Sequence, residues 1–141
     1  MSTHAEIGIM HGDKCKSIYL HSDGYLEYAG RVLLNHYDST KAQFLVAQGD
    51  CSALGMDIGE KVEFGDRLGW SDEHNASTQC RFYKRDRDES GVDFKVSFSI
   101  GELLDKVDAH YVYIMNNGVW YVSLGGGPLQ VLSEVLAKET A

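Results

Sequence analysis

The chain reads as an α+β fold: a mainly antiparallel sheet of three hairpins packed with two N-terminal helices and a C-terminal helix. Three observations predict this class. Stretches of two-residue alternation come in pairs around turn residues, helical spacing lies between and after the pairs, and no βαβ alternation appears. One proline in 141 residues, with no linker or low-complexity tract, assigns residues 1–141 to a single domain.

Ala5 to His11 and Cys15 to His21 alternate on either side of Gly12-Asp13, which predicts the first hairpin. Ile18 and Leu20 fall on one face, and Ser17, Tyr19 and His21 on the other. Asp23 stands where a helix N-cap is wanted. Tyr25, Tyr28, Ala29, Val32 and His36 then recur at helical spacing, so a helix is expected from about Gly24 to Tyr37. Asp38 or Ser39 caps a second helix through Phe44, Leu45 and Val46, which Gly49 ends. From Cys51 to Gln79 periodicity fades, apart from a short strand around Val62 and Phe64 and the isolated Trp70.

The second hairpin is expected from Cys80 to Arg85 and from Val92 to Phe98, joined by the charged loop Asp86 to Gly91, with Val92, Phe94, Val96 and Phe98 on one side. Ser99 and Glu102 form a capping box before a short helix through Leu103, Leu104 and Val107. The strongest local signal is the third hairpin, His110 to Met115 and Val119 to Leu124, turning on Asn117-Gly118. Counting from that turn pairs Met115 with Trp120, Tyr113 with Val122 and Tyr111 with Leu124 on one face. Ile114 with Tyr121 and Val112 with Ser123 occupy the other. Both faces are largely apolar, so this hairpin is central or lies under a homodimer contact. Gly125 to Gly127 break the strand, and Pro128 opens a C-terminal helix carrying Leu129, Leu132, Val135 and Leu136.

The net charge of −8, from 21 acidic and 13 basic residues, argues against direct nucleic-acid binding through bulk electrostatics. Cys15, Cys51 and Cys80 are odd in number and widely spaced, which fits a reducing, cytoplasmic setting better than a disulfide framework. No basic and apolar leader or membrane-length apolar run appears, so neither export nor a membrane partner is expected.

Three constellations could carry chemistry. In the first, Tyr19, His21 and Asp23 alternate onto one side and meet Tyr25 at an expected helix N-terminus, a place for an anionic or nucleotide ligand. Capping and packing would explain the same residues without a ligand. The second is the loop run with Arg85, Asp86, Arg87 and Glu89, where two guanidinium forks could hold a carboxylate or phosphate and the acids orient or neutralise them. A solvated charge run is the plainer account. The third, Asp93-Phe94-Lys95 with upstream Asp86, imitates the carboxylates and lysine of metal-dependent nucleases. The six histidines show no paired metal-ligand spacing, and no motif demands a cofactor. Gly125-Gly126-Gly127-Pro128 lacks the lysine of a phosphate loop, and Asn75-Ala76-Ser77 is a glycosylation acceptor without use inside a cell.

The runs Ser17 to Tyr25, Gly30, Leu33 to Tyr37 and Gly49 to Gly55 resemble a family of small uncharacterised bacteriophage and prophage proteins. Phe82 to Arg87, Tyr111 to Tyr113 and Gly118 to Val122 extend the likeness over nearly the whole chain. Ser22, Leu26 and Asp88 depart from that family's pattern, where an aromatic, a proline and a glycine are usual. The resemblance implies a non-enzymatic phage accessory protein that acts by binding. Its expected target is a host protein complex or a small anionic nucleotide ligand, in an anti-defence role. The alternative expectation is a metal-dependent nuclease or phosphodiesterase using Asp86, Asp93 and Lys95.

Overall fold

The first hairpin forms where the alternation places it, as β1 (Ala5–His11) and β2 (Lys14–Leu20), with Ala5 opposite Leu20 and His11 opposite Lys14. The computed structural model describes residues 3–59, 79–87, 89–107 and 109–140. The expected strand around Val62 and Phe64, together with Trp70, His74, Asn75-Ala76-Ser77 and Asp88, lies outside the described residues.

Six further strands complete the sheet among the described residues: β3 (Cys51–Ala53), β4 (Arg81–Phe82), β5 (Lys95–Ser97), β6 (Tyr111–Asn116), β7 (Val119–Leu124) and β8 (Leu129–Val131). The order is β4-β3-β2-β1-β6-β7-β8, with β5 paired to β2 beside that path. Pairing is mostly antiparallel, but β1 runs parallel to β6 and β2 parallel to β3. The β1–β6 pairing welds the first and third hairpins into one sheet.

Every cross-strand pair counted from Asn117-Gly118 is present. Asn117 and Gly118 both adopt positive φ (52° and 80°), as a two-residue turn matched to strand twist requires. The hairpin's two apolar faces are explained by its central position. Tyr113, Met115, Trp120 and Val122 join Ile7, Ile9, Ile18 and Leu20 in the main core. Val112 and Ile114 join Cys15 and Leu103 in a smaller core on the opposite face.

Among the described residues, four helical segments roof the main core. A π-helical turn, Leu26–Gly30, leads into α1 (Arg31–His36), and α2 (Ser39–Ala47) follows with the Asp38 side chain accepting the Lys41 N–H. Leu26, Ala29, Leu33, Leu45 and Val46 face the sheet with Leu132 and Leu136 of α5 (Leu132–Thr140). The smaller core is covered by α4 (Ile100–Lys106), whose capping Ser99 accepts the Glu102 N–H.

The sheet corrects four local expectations. Asp23 does not cap a helix: it turns the chain with φ of 56°, and helical structure starts at Leu26 with no side-chain cap. The turn holds because the Gly24 N–H donates to Thr3 O while the buried Tyr113 hydroxyl donates to Gly24 O. Cys51–Ala53, where periodicity had faded, is a strand that the parallel pairing with β2 secures. The second hairpin does not form. After Phe82 the chain coils into α3 (Tyr83–Arg87), because Asp86 Oδ2 accepts the Phe82 N–H and closes the turn.

The other half of that expected hairpin, β5, pairs with β2 instead, Ser97 opposite Cys15 and Lys95 opposite Ser17. This phase buries Ser97 and exposes Val96 and Phe98, the reverse of the expected apolar side, since a strand's partner decides which of its two faces turns inward. Pro128 likewise precedes a strand rather than a helical turn, and the C-terminal helix starts at Leu132. Among the described residues, no helix is long and apolar enough to cross a membrane.

Candidate functional site

The most unusual residue in the sheet is Glu6. It sits near the open end of the first hairpin opposite Tyr19, on the face that α4 covers, and is 2% exposed. A carboxylate in that position requires compensation, and the neighbouring strands supply it. Ser17 Oγ donates to Glu6 Oε2 over 2.7 Å, and Lys95 Nζ of β5 stands 3.0 Å from the same oxygen. Burial raises the Glu6 carboxyl above its usual range, while Lys95 and Ser17 pull against that rise.

Asp50 completes the pairing for a reason rooted in the topology. The outer edge of β2 is shared: β5 takes Cys15 to Ser17 and β3 meets Leu20, which leaves the Tyr19 N–H between them. Asp50 Oδ1 accepts that N–H at 2.9 Å and lies 3.9 Å from Lys95 Nζ. Lys106, at the end of α4, reaches Val96 O at 3.2 Å. Glu6, Tyr19, Asp50, Lys95, Lys106, Val107 and Ala109 line an open groove of about 460 Å³. Two carboxylates and two ammoniums make its wall polar yet balanced.

At one end of the groove the Tyr19 phenol meets two imidazoles. The Ala5–Leu20 register places His4 opposite His21, on the face that also carries Glu6 and Tyr19. His4 Nδ1 is hydrogen-bonded to Tyr19 Oη, and His21 Nδ1 lies 3.1 Å from the same oxygen. The His4 ring stacks on Tyr19 with centroids 5.4 Å apart.

No known protein decides the reading. Comparison with protein-family models, curated proteins and solved structures finds no match. The groove is therefore interpreted on its own chemistry.

Of the first expected constellation, the fold brings Tyr19 and His21 together and joins His4 to them. Asp23 and Tyr25 are exposed at the start of the helical segment, and among the described residues no hydrogen bond or ring contact links them to that cluster. In the second constellation the fold commits Arg85 to partners within the chain. All five N–H groups of its guanidinium are used: two to Asp86, one to Cys80 O, one to Ile58 O and one to Gly59 O. Arg85 thus ties α3 to the segment around residue 58 and has no donor left for an anion. Asp86, 2% exposed, is equally committed to the Phe82 N–H and Arg85. Arg87 lies at the end of α3, and Glu89 is exposed with its N–H on Tyr83 O.

The nuclease arrangement is not assembled. Asp86 is sequestered by Arg85, Asp93 pairs with Lys84 at 2.7 Å, and Lys95 turns to Glu6. Sequence reasoning missed Glu6, Asp50 and Lys106. Glu6 had a readable signal: in the hairpin register it falls opposite Tyr19, an acid within an otherwise apolar strand. Asp50 and Lys106 had none, because only tertiary pairing brings them to the groove.

Proposed function

We propose that this protein acts by binding a small nucleotide-type ligand in the groove beside Glu6, without transforming it. The observation that carries the reading is the buried Glu6 carboxylate paired with the half-exposed Lys95 ammonium on the wall of an open groove of ligand size. A carboxylate in the middle of a sheet stabilises folding poorly compared with an apolar residue, so its presence points to recognition. Asp50 and Glu6 offer acceptors for the amino and imino groups of a base, and the Tyr19 ring offers a stacking face. Lys106, half in solvent and 3.7 Å from Glu102 Oε1 in an exposed, weak pair, offers an ammonium that a phosphate would share with or take from that carboxylate. The phage-family resemblance supports a biological setting in which binding such a ligand withholds it from a host defence.

Isothermal titration with nucleoside monophosphates, cyclic nucleotides and adenosine diphosphoribose tests the proposal. One ligand of this set is expected to bind with one site per chain. Lys106→Ala should weaken it about tenfold, or about 1.4 kcal/mol, with the melting temperature unchanged. Asp50→Asn, which keeps an acceptor for the Tyr19 N–H, should weaken it further. Binding by none of these nucleotides, or affinity indifferent to both substitutions, overturns the reading.

A further inference from the structure

We infer that the groove between α2 and the uncovered end of the main-core face docks a short peptide segment that carries carboxylates beside an apolar anchor. Cover on that face stops at Ile9. Ile9 is buried opposite Lys16, and Lys16 stands opposite Val96 of β5. In the next row His11 lies opposite Lys14, and His11, Val96 and Phe98 are exposed. Thr40, Phe44 and Ala47 of α2 form one helical stripe along the other wall. The groove between these walls, lined also by Ile9, Lys16 and Phe94, has a volume of about 340 Å³. Phe44 and Phe98 are 61% and 64% exposed, more than any other large hydrophobic residue described. Apolar side chains gathered in the open at one groove mark an interaction surface.

Charge decides the kind of partner. The chain carries −8 overall, yet among the described residues the groove lining holds a lysine and a histidine and no carboxylate. Lys41, Lys84, Lys95 and Lys106 each pair with an acid. Lys14 and Lys16 form no ion pair among the described residues and rest on aromatic rings instead. Lys16 Nζ lies 5.2 Å from the centre of the Phe94 ring, and Lys14 Nζ 5.5 Å from that of Phe98. Asp13 adjoins Lys14 in the chain without pairing with it, and Glu102, which accepts the Phe98 N–H, is held by Lys106. The groove therefore offers two positioned ammoniums beside an apolar wall.

An acidic peptide fits this arrangement better than the other anionic or apolar occupants. The Phe94 and Phe98 rings already carry ammoniums, so they are poor platforms for stacked bases, and a chain of net charge −8 repels a phosphate backbone. A second copy docked on the same patch would set lysine against lysine. A peptide carboxylate instead meets Lys14 or Lys16 where it stands, while a leucine or aromatic side chain seats between Phe44 and Phe94 and excludes water around the charges. This surface lies on the opposite face of the sheet from Glu6 and Lys95, so it stands whether or not a ligand occupies their groove.

The test is selection of a displayed random-peptide library against the full chain, followed by fluorescence anisotropy with a labelled peptide from the enriched set. Enriched sequences are expected to place Asp or Glu beside Leu, Phe or Trp, and affinity should fall as salt rises. Phe44→Ala and Lys16→Glu should each weaken binding about tenfold with the melting temperature unchanged. Tyr25→Ala, an exposed aromatic at the start of the helical segment, should leave binding as it was. No enrichment, enriched peptides without acids, or affinity indifferent to both groove substitutions overturns the inference. So does tighter binding of a short oligothymidylate at the same patch, or a homodimer that Phe44→Ala dissociates.

Discussion

Replacing Lys95 with methionine removes the ammonium facing Glu6 while keeping most of the side chain's apolar length. In the folded protein the Glu6 carboxylate is 2% exposed, with Lys95 Nζ 3.0 Å away. Breaking a fully buried pair from one side costs about 3–5 kcal/mol, because a charge is left uncompensated. The Lys95 side chain keeps 38% of its surface in solvent, so screening brings the expected loss to about 2 kcal/mol at neutral pH. For a domain of this size that lowers Tm by about 4–8 °C.

The loss has a pH signature whose sign follows from Glu6. Burial raises the folded-state carboxyl above its ordinary value, so the folded protein holds this proton to higher pH than the unfolded chain. Its contribution is complete below the unfolded value and declines as pH rises through the folded one. In Lys95→Met the folded value climbs further, and the decline continues at up to about 1.36 kcal/mol per pH unit. The deficit relative to the parent is therefore small at about pH 4 and full at about pH 8. Urea unfolding followed by tryptophan fluorescence across this range measures it. The double variant Glu6→Gln/Lys95→Met should recover most of the stability, because a neutral amide needs no counter-charge. An equal deficit at both ends of the range, or a double variant no better than Lys95→Met, would refute the reasoning.

Two further outcomes follow from the frame around the groove. Asp86→Ala should cost about 3 kcal/mol in urea unfolding, since it strips the Phe82 N–H and the Arg85 guanidinium of a buried partner; Arg85→Lys should recover little of that tie, having fewer donors in another geometry. Gly49→Ala should destabilise by about 3 kcal/mol and Gly91→Ala by about 1, measured the same way. Both glycines have positive φ, but a Cβ on Gly49 would lie 2.5 Å from Val92 O, while at Gly91 nothing stands within 4 Å.

Local rules decided much of this molecule. The Asn117-Gly118 turn set the register of the third hairpin completely, and the capping signals at Ser99 and at Asp38-Ser39 marked where two helices begin. Alternation in Ala5 to His21 was enough to put Ile18 on one face and Tyr19 with His21 on the other, and the fold turned the Ile18 face inward. These signals are short-range: turn geometry, capping and side-chain period are all settled within a few residues.

What tertiary structure alone decided is which strand lies beside which. Two-residue alternation in Val92 to Phe98 states that a strand can form but is silent on its partner. Pairing with Ser17 rather than Phe82 turned Lys95 towards Glu6 and left Phe98 in solvent. Asp86 and Arg85 looked like a solvated loop because nothing nearby in the chain reveals that Cys80, Ile58 and Gly59 carbonyls surround the guanidinium. The groove itself joins residues 6, 19, 50, 95 and 106, and the carboxylates and lysines acquire meaning only when a shared edge of β2 draws them together. The side-chain types and their faces were in the sequence; their company was a property of the fold.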